Sequence, residues 1–125
     1  MTAKYGVLGM PLGHSYSECI HQLLGNDDYK KLELSEAELE RFLKKREFSG
    51  YNVTIPYKKT VMPYCDNLGE GAAKIGSVNT LICRDGKLTG ENTDFYGLGY
   101  AADRADIKFE GKKITTPEYF VCHEI

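Results

Sequence analysis

Apolar residues recur along the chain with two periods, near two in short runs and near 3.6 in longer ones, the pattern of strands alternating with helices. Tyr5 to Met10 is a short apolar run that predicts a buried strand, and Ile20, Leu23 and Leu24 follow at helix-face spacing. Leu32 and Leu34 alternate with Lys31 and Glu33, which predicts a second strand. Ser35 and Glu38 then form a capping-box pattern ahead of a helical stripe of Leu39, Phe42 and Leu43. Gly50 to Ile55 predicts a third strand, stopped by Pro56, which has no N–H for a ladder. A helix is expected from Asp66 through Ala72, Ala73 and Ile75. Val78 to Cys83 predicts a further strand, Asp85-Gly86 a type I′ turn, and Lys87 to Thr89 the returning strand. The last helix is expected to open at Asp94 and to carry Phe95, Leu98, Ala101, Ala102 and Ala105.

This order predicts an α/β domain in three layers: a mainly parallel sheet with an antiparallel hairpin at its edge and helices on both faces. A chain of 125 residues is about one domain. With 42% hydrophobic and 27% charged residues it can bury a core, which excludes disordered, collagenous and coiled-coil classes. A net charge of -2 offers no electrostatic case for a nucleic-acid partner. The apolar runs are too short to span a bilayer and the amino terminus lacks the apolar stretch of a secretory signal, so a cytoplasmic location without a membrane partner is expected. Cys19, Cys65, Cys83 and Cys122 include no C-x-x-C pair and no histidine at ligand spacing, which predicts reduced, partly buried thiols and no structural metal.

Ligands of open parallel sheets collect beyond the carboxyl ends of the strands, and three polar clusters fall there. The first is Gly9 to Ser17, with the hydroxyls of Ser15 and Ser17 two residues apart before a helix amino terminus. They suit an anion such as a carboxylate, or Ser17 simply caps the helix. In the second, Asn52 and Thr54 share a strand face and Lys58 lies just beyond it. A lysine at the mouth of a half-apolar cleft, held by a carboxylate, can act as general acid and base; a solvated surface lysine is the plain alternative. The third cluster, Asn79-Thr80 with Gly90 to Asp94, supplies Asp94 as that carboxylate or as a helix cap.

The runs G-M-P-L-G-H-S-Y-S at 9–17, N-V-T-I-P-Y-K at 52–58, G-S-V-N-T at 76–80 and G-E-N-T-D at 90–94 resemble, in order, the signature blocks of shikimate dehydrogenase. The likeness runs from about Tyr5 to about Lys113. It implies that residues 1–113 are the substrate-binding domain of an NADP-dependent oxidoreductase that reduces 3-dehydroshikimate to shikimate, in chorismate and aromatic amino acid biosynthesis. By the same resemblance Ser15 and Ser17 hold the substrate carboxylate, Thr54, Asn79 and Asp94 bind ring hydroxyls, Thr93 also binds the substrate, and Lys58, paired with Asp94, binds it and handles the proton.

Two features depart from the family pattern. Glu18 stands where the family has proline, and a carboxylate there is expected to repel an anionic ligand if it faces the serines. Residues 114–125 do not resemble the family's continuation into a glycine-rich, phosphate-cradling loop. Gly97-Leu98-Gly99-Tyr100-Ala101-Ala102 fits G-x-G-x-x-A but falls within the predicted last helix. The nucleotide-binding domain is therefore expected to be absent, with no cofactor bound by this chain alone and no activity alone. The alternatives are a stand-alone shikimate- or quinate-binding module and a relic without function. Self-association through exposed apolar surface, including Tyr119-Phe120-Val121, or pairing with a separate nucleotide-binding domain, is also expected.

Overall fold

The computed structural model of the protein describes residues 3–111; the expected tail, with Cys122 and the Tyr119-Phe120-Val121 contact, lies outside them. Six strands form one sheet: β1 (Tyr5–Gly9), β2 (Tyr29–Glu33), β3 (Gly50–Val53), β4 (Asn67–Leu68), β5 (Thr80–Arg84) and β6 (Lys87–Glu91), in the order β2-β1-β3-β5-β6-β4. The helices are α1 (Ser17–Leu23), α2 (Glu36–Lys45), α3 (Glu70–Ile75) and α4 (Thr93–Arg104), with a short 3₁₀ turn at Met62–Tyr64. β1 pairs in parallel with β2 and β3, and β4 with β6, whereas β5 is antiparallel to both β3 and β6.

Alternation along β1 sends its apolar side chains to opposite faces, so each face builds its own core. Leu8 joins the larger cluster, with Leu39 and Leu43 of α2, Ala72 of α3, and Tyr51, Val53, Leu81 and Leu88 of the sheet. Val7 packs on the other face with Leu12 and Tyr29, beneath α1. The expected three layers form, because helices cover both faces. The hairpin is antiparallel, and Asp85 and Gly86 both take the positive φ that a type I′ turn demands. It does not form the edge. Asn67–Leu68 pairs outside it with Thr89 and Gly90, so the segment at Asp66 is strand rather than the start of a helix, and α3 begins at Glu70. Two residues are too few for a periodic signal, and the turn-rich run before them hides the pairing.

Asp66 is used as a fastener instead of a cap. Its carboxylate accepts the Leu88 N–H at 2.8 Å and the Arg46 guanidinium at 2.7 Å, and Arg46 also donates to the Gly86 carbonyl at 2.6 Å. This ties the end of α2 to the hairpin. The Ser35 capping box forms as expected, with Ser35 and Glu38 each accepting from the other's backbone. In α4 the expected stripe is only partly inward: Ala102 is buried and Phe95 half-buried, while Leu98 is 61% exposed. No helix among the described residues is long and apolar enough to cross a membrane. Cys19 is exposed, and Cys65 and Cys83 are half-buried free thiols.

Two stability outcomes follow. Ser35→Ala is expected to cost about 1 kcal/mol in urea unfolding, through loss of the cap. The Leu88 N–H, and then Arg46, lower the pKa of Asp66 below the ordinary aspartate value. A depressed carboxylate stabilises the fold above its unfolded pKa, about 3.9, and that contribution is lost as pH falls through the folded value. Asp66→Asn should therefore melt below the wild type at pH 7, with the gap closing as the pH is lowered from about 5 to 2.

Candidate functional site

Reversal of β5 decides where the polar clusters meet. β1 and β3 run parallel, so Gly9 and Val53 end on one side of the sheet. Asn52 opposes Thr80 at the amino end of antiparallel β5, and Thr80 opposes Glu91 at the carboxyl end of β6. Four chain segments thus reach the same rim. Backbone bonds fasten them there: Thr54 N–H to the Leu8 carbonyl (2.9 Å), Met10 N–H to Ile55 (3.0 Å), Val78 N–H to Lys58 (2.8 Å) and Asn79 N–H to Glu91 (3.0 Å). A Cβ at Gly9 would lie 2.9 Å from the Ile55 carbonyl oxygen, so only glycine permits this crossing of the first loop over the third strand's end.

Above the rim is an open cleft of about 450 Å³ whose wall includes Ser15, Ser17, Thr54, Lys58, Asn79 and Asp94. Thr93 is not on that wall. Its hydroxyl accepts from Asn79 Nδ2 at 2.9 Å and its N–H donates to Asn79 Oδ1 at 3.0 Å, so it orients Asn79 rather than facing the cleft. Asn79 Oδ1 also accepts the Thr80 hydroxyl at 2.9 Å, which leaves one amide hydrogen of Asn79 for a ligand.

Lys58 Nζ lies 3.9 Å from Asp94 Oδ2, with the lysine side chain 17% exposed and the aspartate 46%. That separation is an ion pair without hydrogen-bond contact, so the carboxylate aims the ammonium while its donors stay available to a ligand. Across the cleft, Ser17 is the first residue of α1 and Tyr16 the cap, so the Ser17 hydroxyl is not spent on capping. Ser15 Oγ accepts the Ser17 N–H at 3.4 Å. The loop carrying the serines is braced from β2, where Glu33 Oε1 accepts the Leu12 N–H.

Glu18 points away from the serines. Its carboxylate accepts the Lys31 N–H on edge strand β2 at 2.9 Å and lies 3.5 Å from Lys30 Nζ. Those partners, the Lys31 N–H first, lower its pKa, and they occupy the charge that was expected to trouble an anionic ligand.

Of three further contributors, Asn52 lies on the strand face already noted for Thr54, while His14 and Asn92 were not singled out beforehand. Asn52 and His14 line the cleft, and Asn92 builds the start of α4. Fully buried Asn92 donates to the Ser77 carbonyl at 3.0 Å and accepts the N–H groups of Asp94 and Phe95. Asp94 is thus a first-turn residue with its carboxylate free for Lys58, and not the cap. Asparagine two residues before an acidic first turn was a readable signal for this. Close packing of α4 on α3 depends on Gly71, where a Cβ would stand 2.9 Å from the Phe95 side chain.

The chain matches the family model of the shikimate dehydrogenase substrate binding domain over residues 7–81. A shikimate dehydrogenase (NADP(+)) of Clostridium beijerinckii is 41% identical over 111 residues, covering 82% of this chain and 41% of that protein. The crystal structure of the Thermus thermophilus shikimate 5-dehydrogenase in complex with shikimate superposes with a TM-score of 0.72 at 33% identity, covering 86% of this chain and 44% of the other. A ligand-free 5-ketofructose reductase of Gluconobacter gives 0.68 at 28% identity, over 83% and 40%. The chain therefore spans about two fifths of the length of these relatives.

Asn92→Ala removes the cap and strands buried backbone groups together, and should cost about 2 kcal/mol of stability in denaturant unfolding. Restoration by Asn92→Asp of most of the helix content, read by circular dichroism, would separate the capping contribution from the bond to Ser77.

Proposed function

The chain belongs to the shikimate dehydrogenase substrate-binding domain family, and on that premise we propose that it holds shikimate or 3-dehydroshikimate as the substrate side of an NADP-dependent shikimate dehydrogenase. The observation that carries this reading is the meeting of a hydroxyl pair with an aspartate-aimed lysine across one cleft. Ser15 and Ser17 donate to the ring carboxylate. Thr54, Asn79 and Asp94 bind ring hydroxyls, with Thr93 fixing the Asn79 amide.

Lys58 is the acid/base group. As the carbonyl carbon of 3-dehydroshikimate is reduced, negative charge builds on its oxygen; the Lys58 ammonium stabilises that charge and then donates the proton, and the reverse reaction returns it. Asp94 keeps the ammonium in place and reads a neighbouring hydroxyl. An analogue lacking that hydroxyl loses this hydrogen bond and binds more weakly.

A nicotinamide cofactor does not fit the described residues. The run Gly97 to Ala102 that matches a dinucleotide fingerprint lies wholly inside α4, and Gly97 and Gly99 face open space rather than a strand-to-helix turn. This domain's own part is to bind, orient and handle a proton. Its residues 1–113 form the proposed substrate domain, joined in function to a nucleotide-binding unit. Leu98 and Tyr100, 61% and 64% exposed on the helix that carries Asp94, give that unit or a second copy an apolar surface to cover.

Shikimate at a hundred times its dissociation constant should stabilise the protein by about 2.7 kcal/mol, read as a rise in melting temperature. The uncharged methyl ester should stabilise it far less, and Ser15→Ala with Ser17→Ala should erase the difference between the two ligands. Absence of any shift with millimolar shikimate would overturn the reading. With the nucleotide-binding domain of a shikimate dehydrogenase supplied in trans, any NADPH-linked turnover recovered with the wild type should vanish in Lys58→Ala while calorimetric shikimate affinity changes little; a variant as active as such a wild-type mixture would exclude the lysine.

A further inference from the structure

We propose that Tyr29 is a positioning residue of the cleft, fixing which way the Asn52 amide faces. The inference rests on the ligand reading above for its effect on affinity, and on geometry alone for its effect on Asn52. Tyr29 belongs to β2, two strands away from Asn52 of β3, and its ring reaches across Val7 of β1, with which it packs. Only 3% of the residue is exposed, yet its hydroxyl has a partner. It donates to Asn52 Oδ1 at 2.7 Å.

That bond has one direction. With Oδ1 turned to Tyr29, both hydrogens of Asn52 Nδ2 point away from it, and neither meets an acceptor among the described residues, while Asn52 itself lines the cleft. The floor between the serines and Lys58 therefore presents donors, which suits the oxygens of a polyhydroxylated ligand. Burial raises the Tyr29 pKa, so the phenol keeps the proton this arrangement needs. The ring has little freedom. His21 of α1 stacks on it at 3.7 Å between centroids and 3° between planes, and Val7 and Leu12 pack in the same cluster. Because His21 and Ser17 share α1, the stack also fixes how the serine-bearing turn sits on the sheet.

Tyr29→Phe keeps the ring and its stacking and removes only the hydroxyl, so the melting temperature should stay close to that of the wild type. In the ligand-free protein, the paired side-chain amide proton resonances of Asn52, followed by ¹H–¹⁵N NMR, should move in Tyr29→Phe while backbone resonances of β3 stay in place. Shikimate affinity measured by calorimetry should fall about tenfold, the effect of one hydrogen bond. Asn52→Ala should weaken binding clearly in the wild-type background and by less than about twofold in the Tyr29→Phe background. Unchanged Asn52 amide resonances, unchanged affinity, or strictly additive effects would each overturn the proposal. If the wild-type protein fails to bind shikimate, the ligand reading falls, and the ligand-free amide resonances still decide whether Tyr29 orients Asn52.

Discussion

Antiparallel pairing of β5 with β3 is the constraint on which the rest of the cleft depends. In a wholly parallel sheet, the residues that precede a strand lie at the far edge from those that follow one. Because β5 runs backward, Asn79, immediately before it, reaches the rim where Ser15, Thr54 and Lys58 emerge after β1 and β3. The hairpin then returns the chain to that rim at Glu91, and Asn92 launches α4 with Asp94 in its first turn. One reversal therefore delivers both the amide and the carboxylate that face Lys58.

Polar groups around the cleft are held by partners that face away from it. Thr93 turns Asn79, Asn92 turns the start of α4, Glu33 braces the serine loop, and Glu18 fastens α1 to the open edge of β2. Each bond leaves the exposed side of its residue free, so the site is organised before any ligand arrives and loses less entropy on binding. Glycines serve the same end by allowing close approach. Gly9 lets the first loop cross the end of β3, and Gly71 lets α4 pack on α3. Apolar burial on both faces of β1 keeps this scaffold rigid, since Leu8 and Val7 anchor separate cores.

Regular elements with a long apolar period were legible before folding. The capping box at Ser35, the helix stripe of Leu39 and Leu43 and the Asp85-Gly86 turn formed as read, because each is governed by contacts within a few residues. Errors fell where distant partners decide. β4 has two residues and exists only because β6 is beside it, and that pairing moves the hairpin away from the edge and converts Asp66 from a helix start to a partner of Arg46. Leu98 fits a helix stripe by spacing but faces outward, while the close approach of α4 to α3 is made at Phe95 against Gly71.

For the candidate site, the ordered motifs by themselves determined the family and named the residues worth watching, since the hydroxyl pair, the lysine and the aspartate are local spellings that survive in one dimension. Only the tertiary structure decided their division of labour. It turned Thr93 to Asn79, gave the helix cap to Asn92 instead of Asp94, sent Glu18 to β2, and drew Asn52 and Tyr29 into the cleft's support. The physical reason is that a side chain's role is set by the nearest donor or acceptor in space, and in a sheet whose order is β2-β1-β3-β5-β6-β4 that neighbour is seldom near in sequence.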